Sequence, residues 1–248
     1  MVVGWWYHRR LPVARWRAPG GVAGSRRPAP RVSGPCPAPT RTHQVRQPYL
    51  TSLVASHPAV ESLLNERPQR AKLLEAMVRV VSEKGYEAAT VADAVRLARV
   101  SRGTFYQLFE SKEACLAAAY RVGSEVLERR VGEAASHAGD WREELRLGIR
   151  TYLKTLDEEP VFGRVYLLEW PSAEAEREAT MRRFARRYGK SFARSGMPVP
   201  PDDALYVLAS GVHELACASV RAGRATIDLE DVLVGCAVRL VGKEESWI

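Results

Sequence analysis

Four donor-bearing side chains fall within one short stretch: Arg102, Thr104, Tyr106 and Gln107, with Gly103 after the first. An arginine can hydrogen-bond a guanine edge and a glutamine an adenine edge. Ser101, just before them, is an N-cap residue type, so these side chains sit at the start of a helix, where free backbone N–H groups also favour phosphate. Gly103 removes side-chain bulk where a base edge or backbone must come close. The chemistry on offer is recognition of a nucleic-acid duplex. Catalysis is not expected, because no nucleophile–base pair and no glycine-rich phosphate loop occurs. Asp202-Asp203 and Glu244-Glu245 read instead as helix capping and a frayed terminus. Cys36, Cys115, Cys217 and Cys236 lie far apart with no Cys/His ligand spacing, so neither a metal nor a cofactor is expected.

The elements that must position these donors are helical. Leu73, Leu74, Met77, Val80 and Val81 recur at the spacing of a helix with one buried face. Gly85 suits the left-handed residue that ends it, and Tyr86 is placed to pack back on its end. Thr90 caps VADAVRLA, with Asp93 three residues on as in a capping box. Arg99-Val100 is the turn, Ser101 caps RGTFYQLF, and Ser111 caps the next helix. Val91, Ala94, Val95, Ala98, Val100, Phe105 and Phe109 supply the small apolar inner face that two steeply crossing helices need.

Five further helices are expected downstream. One starts at Asp140, one runs from Pro160 through Trp170, and one is capped by Ser172 and ended by Gly196. Asp202 caps the next, which ends at Gly223, and Asp228 opens the last. No segment alternates at period two, so the fold class is all-α with about nine helices.

RLARVSRGTFYQLFESKEACLAAAY, with the preceding LLEAMVRVVSEKGYEAATVADAV, resembles the DNA-binding module of the tetracycline-repressor-like (TetR) family of bacterial transcriptional regulators. The likeness covers roughly residues 69 to 120. It implies a homodimeric repressor whose C-terminal helices bind a small-molecule effector and thereby release double-stranded DNA at a near-palindromic operator. It also implies phosphate contacts from Thr90 and Lys112, a phosphate or sugar contact from Tyr106, and base contacts from Arg102, Thr104 and Gln107. The alternative is a helical interaction module that has lost sequence-specific DNA binding.

Composition sets limits on the rest. The net charge of +8 is uneven: residues 1–60 hold nine Arg and no acid, while the remainder holds 28 basic and 29 acidic residues. The basic pI therefore belongs to residues 1–60, which are rich in Arg, Pro and Gly and read as a disordered tail. That tail is either a DNA-touching arm, an unstructured extension, or a translated upstream region. No run of 18 apolar residues suggests a membrane span, and a cytoplasmic protein is expected. The expected division is tail (1–60), helix-turn-helix domain (61–112) and effector-binding and dimerisation domain (113–248). Small residues in the last two helices, among them Ala209, Gly211, Ala216, Ala218, Val234, Gly235 and Ala237, suit a two-helix dimer face. Candidates for the effector pocket are Tyr152, Phe162, Tyr166, Trp170 and His213, with Trp141 and Cys217 beside them. Glu158-Glu159, Arg182-Arg183 and Arg186-Arg187 read as solvated faces, the arginines alternatively as a stripe that attracts an anionic effector.

Overall fold

The computed structural model describes residues 68–170 and 173–241; the expected tail lies outside them. The described residues form nine α-helices and no strand. These are α1 (Pro68–Lys84), α2 (Val91–Ala98), α3 (Arg102–Leu108), α4 (Lys112–Ala135) and α5 (Trp141–Glu158). They continue with α6 (Pro160–Arg164), α7 (Glu174–Arg194), α8 (Asp202–Arg221) and α9 (Glu230–Val241).

The first helices start where their capping residues dictate. The Thr90 hydroxyl accepts from Asp93 N–H at 3.1 Å, Ser101 from Thr104 N–H at 2.9 Å, and Ser111 from Ala114 N–H at 3.1 Å. Asp140 accepts from the amides of Arg142 and Glu143. Gly85 ends α1 at φ +79°, the left-handed region that carries little penalty without a Cβ. The turn between α2 and α3 places Arg99 in the same region at φ +55°, a conformation costly for an L-residue and one that no glycine marked in the sequence.

Several downstream expectations are corrected. Residues 160–170 are not one α-helix: five residues of α6 pass into a π turn, Val165–Glu169. Asp202 is the first residue of α8 and makes no cap hydrogen bond; Pro201 occupies the cap. Its carboxylate still favours the helix N-terminus through the backbone dipole. Asp228 lies within a short 3-10 turn, Ile227–Leu229, and α9 follows it. Ala173 stands at the cap of α7; Ser172, expected there, lies outside the described residues. Glu159 is buried rather than solvated, because it sits at the tight α5–α6 junction.

The hydrophobic core is continuous from Leu73 to Val241. Helix α1 is buried on more than one face. Besides the expected Leu73, Leu74, Met77, Val80 and Val81, it buries Ala71, Ala76 and Val78. The reason is that α1 packs against α2, α3, α4, α6 and the π turn. Two close approaches fix α6. A Cβ at Gly163 would stand 2.8 Å from the Leu156 carbonyl oxygen, and one at Gly123 of α4 would stand 2.3 Å from Phe162 Cε2.

Gly123→Ala sets helix propensity, a gain of about 1 kcal/mol, against overpacking of about 1–3 kcal/mol. The contact is far inside van der Waals distance with a buried ring, so overpacking wins. A net loss of about 1–2 kcal/mol is expected, read as a lower urea midpoint; an unchanged or raised midpoint contradicts this packing.

Candidate nucleic-acid interface and aromatic core

The helix-turn-helix is assembled around Phe105, which is fully buried beneath α1 and α2. The next residue of α3, Tyr106, is 59% exposed, and its ring meets Phe105 edge-on at 5.4 Å. One turn of α3 thus anchors the helix inward and presents a tyrosine outward. Arg102, Gly103 and Gln107 are exposed with it, on the face away from the core. From α1, Arg70 donates to the Leu108 carbonyl at 3.4 Å and lies over the Phe109 ring at 4.5 Å, holding the far end of α3.

Three of the expected DNA-contacting side chains, Thr104, Lys112 and Thr90, already have intramolecular roles. The Thr104 hydroxyl lies 2.9 Å from Ser101 Oγ, so both hydroxyls are engaged in the cap of α3. Lys112 donates to the Tyr86 carbonyl at 2.8 Å and lies 4.2 Å from the centre of the Tyr86 ring. Tyr86 in turn donates to Glu113 at 2.7 Å. The start of α4 is thereby tied to the end of α1. Thr90 is exposed at the start of α2, and its hydroxyl also donates to Asp93 at 2.8 Å.

Asp93 gathers the charges of this module. Lys84 of α1 reaches it at 2.8 Å and Arg96 at 2.6 Å. The Lys84 ammonium and the Thr90 hydroxyl hold its carboxyl down at about 2. No counterpart of this exists at Arg102, which is exposed and makes no ion pair among the described residues.

The expected effector residues divide into two groups. Phe162, Tyr166 and Trp170 come together with Tyr120 of α4 around a cavity of about 10 Å³, whose other walls are Val78, Leu116, Ala119 and Val165. Tyr120 stacks on Tyr166 at 4.7 Å, Phe162 stacks on the same Tyr166 at 4.8 Å, and Trp170 meets Tyr120 edge-on. Tyr152 and His213 lie beside this cavity rather than in its wall. They meet through Tyr152 Oη and His213 Nδ1 at 3.0 Å, and the His213 ring stands edge-on to Tyr166 at 5.9 Å. Burial pushes the His213 imidazole down to about 4, with Arg177 and Arg221 adding to the shift, so it is neutral at pH 7. Burial likewise holds the Tyr120, Tyr152 and Tyr166 hydroxyls protonated.

Trp141 belongs elsewhere: it packs on Phe192 at 4.7 Å beneath Arg142. Cys217 is buried and donates to the Leu167 carbonyl at 3.6 Å. Tyr120 was missed because it sits among small residues in a long helix whose sequence reads as ordinary packing. No sequence signal pairs it with Tyr166.

The stretch 73–119 matches the family model described as bacterial regulatory proteins, tetR family. The chain carries the TetR DNA-binding module. Within it, 47 residues are 45% identical to the uncharacterized HTH-type transcriptional regulator YvdT of Bacillus subtilis (strain 168). That match spans 19% of this chain and 24% of YvdT, so it concerns the TetR module alone. The likeness of fold reaches further. The fatty acid degradation regulator FadR from Bacillus halodurans superposes with a TM-score of 0.61 at 18% identity, over 69% of this chain and 95% of that one. FadR from Bacillus subtilis, in complex with stearoyl-CoA, gives the same TM-score and identity over 69% and 98%. The helices beyond the TetR module therefore share an architecture with these regulators. No described helix is long and apolar enough to cross a membrane.

The Asp93 cluster carries a pH dependence with a definite sign. A carboxyl held below its unfolded value of about 3.9 contributes stability above that pH and loses it as the pH falls towards about 2. Urea unfolding between pH 5 and pH 2, numbers set on the order of those two values, should show a shallower decline for Asp93→Asn than for the wild type. Parallel curves would mean that the cluster contributes nothing.

Proposed function

We propose that the chain is a transcriptional regulator that binds a near-palindromic operator as a homodimer and leaves it when a small organic effector enters its aromatic core. Repression is the natural sense of such a switch, and the cytoplasm its place of action. The observation that carries the reading is the outer face of α3. Arg102, Tyr106 and Gln107 stand exposed on a short helix whose caps and buried Phe105 leave them no task in folding. Such donors are suited to groove edges and phosphates. Ser101 and Gly103 support the same reading, the first by fixing the helix start, the second by leaving room. Lys112 would then serve as a phosphate contact with donors beyond its intramolecular bond, since an ammonium has three; Thr90 would turn its one hydroxyl donor from Asp93 to the phosphate.

Dimerisation is supported by the free face of α8 and α9. Val207, Leu215 and Val232 are 57%, 44% and 59% exposed, unusual values for large apolar side chains on neighbouring helices. Gly211 and Gly235 have nothing within 4 Å of where a Cβ would stand, so backbones could approach there closely. A twofold pairing through this face would build a four-helix interface and set two copies of α3 about one DNA turn apart, about 34–36 Å, or a multiple of it.

The effector reading rests on Phe162, Tyr166 and Trp170 lining one cavity with Tyr152 and His213 beside it. That a protein of the same fold holds stearoyl-CoA supports an organic ligand among these helices. The same cavity touches Val78 of α1, so widening it would press directly on the DNA-binding module. A ligand favouring the widened form would shift the population away from the DNA-binding spacing.

Fluorescence anisotropy on DNA upstream of the chain's own gene tests the interface. Against competitor duplex, Arg102→Ala and Tyr106→Ala should each cost about 1–3 kcal/mol, roughly five- to 150-fold in affinity. Equal binding by the double variant and the wild type would sink the assignment. For the dimer, sedimentation velocity should show a wild-type dimer converted to monomer by Leu215→Glu with Val232→Glu. A wild type that sediments as a monomer at tens of micromolar, roughly the range in which a stable dimer of this affinity class persists, counts against it.

A further inference from the structure

The aromatic core holds more polar atoms than it satisfies. Tyr120 Oη, Tyr166 Oη, Trp170 Nε1 and His213 Nε2 are buried without a hydrogen-bond partner among the described residues, as is Nε of Arg177 on α7. The two tyrosine hydroxyls lie near each other, and near Thr180 and Ser124, without reaching hydrogen-bond geometry. Buried polar groups are nearly always paired, since each one left unpaired costs about 1–3 kcal/mol. Three of them, on Tyr120, Tyr166 and Trp170, belong to residues that line one cavity, and His213 stands edge-on to Tyr166, so this region is short of a partner.

The missing partner has a definable chemistry. Trp170 Nε1 and Arg177 Nε can only donate. His213 is resolved by its neighbour: Tyr152 has no other acceptor among the described residues, so its O–H donates to Nδ1. In a neutral imidazole the proton then sits on Nε2, which becomes a donor too. The tyrosines are protonated and can donate as well. Every orphan is thus able to donate, and none needs a donor. The Arg177 guanidinium is felt at Tyr120, His213 and Cys217, and it makes no ion pair among the described residues. Arg177 is half-buried, and its single positive charge would pair with a single negative one. The remaining walls, Val78, Leu116, Ala119, Phe162 and Val165, are apolar.

We propose that this core binds a monocarboxylic acid with an apolar body, its carboxylate accepting from the orphaned donors and from Arg177. The proposal rests on the reading of the core as an effector site and names the class of ligand for it. A carboxylate offers two oxygens and about four lone-pair directions, enough for several of these donors at once. The cavity of about 10 Å³ holds no more than one water-sized sphere, so entry of the acid must part α6 and the π turn from α1 and α4. The π turn is the element suited to yield, because its wide ring is readily exchanged for α geometry.

Titration calorimetry on the full chain tests the class with three compounds of one shape: 3-phenylpropionate, 3-phenylpropanamide and 3-phenylpropylamine. The acid should bind at least tenfold more tightly than either relative. Arg177→Met should abolish that advantage and Arg177→Lys retain part of it; Trp170→Phe, which keeps the ring and removes the N–H, should weaken the acid several-fold. Thermal melts of the variants confirm folding. The proposal is overturned if the amide or amine equals the acid, if Arg177→Met leaves the acid unchanged, or if none of the three binds at millimolar concentration. The regulator reading has its own readout: it stands if the wild type still binds its upstream DNA and some neutral compound releases it, and falls if the DNA is not bound at all.

Discussion

Helix α1 buries a broad arc of apolar side chains, and two parts of the molecule meet on it. Leu73, Leu74, Met77 and Val81 belong to the same buried core as the small residues of α2 and Phe105. Val78, one turn on from Leu74, lies in the wall of the aromatic cavity with residues of α4, α6 and the π turn. A helix packed against both parts cannot shift towards one without disturbing the other, because packed interiors have little slack. The DNA-binding module is therefore not a bead on a linker. Its position is set by the same contacts that close the cavity.

Electrostatics complete that module at close range. Lys84, Thr90 and Arg96 converge on Asp93, so one carboxylate joins the end of α1 to the start of α2. Tyr86, Lys112 and Glu113 do the same between the end of α1 and the start of α4. These are exposed or half-buried contacts, each individually weak in water. Their value lies in fixing angles between short helices that have few apolar residues of their own. The α3 donors can stand free because other side chains hold the scaffold.

The aromatic core works by the opposite logic. Tyr120, Tyr166, Trp170 and His213 bury large surfaces, yet they bring polar tips that the helices around them do not satisfy. A core built for stability alone would place those tips against carbonyls or carboxylates, as Thr226 is placed against the Leu153 carbonyl and Asp157. The contrast within one fold is between a polar group that locks a loop and polar groups left unpaired among the described residues. The π turn that carries Tyr166 follows Gly163, which stands at a backbone approach too tight for any side chain.

Much of this was legible from residue order. Thr90, Ser101, Ser111 and Asp140 cap helices because a hydroxyl or carboxylate one residue before a helical run accepts its free N–H groups wherever the chain goes. The exposure of Gln107 opposite Phe105, with Tyr106 a quarter-turn round, follows from helical period, whereas Arg102 is exposed as the first residue of its helix. Other features had no local signature. Arg99 is left-handed because the turn between α2 and α3 demands it, against its own preference. Asp202 failed as a cap because Pro201 already held that place. The passage of α6 into a π turn and the separation of Trp141 from the aromatic cluster depend on residues distant in the chain. So does the meeting of Tyr120 with Tyr166. The sequence by itself determined that the described chain is helical and where its first helices start, since these depend on neighbours within a turn or two. Only the tertiary structure decided which aromatics share a cavity and which donors remain unmatched, because those are properties of space shared by helices far apart in the chain.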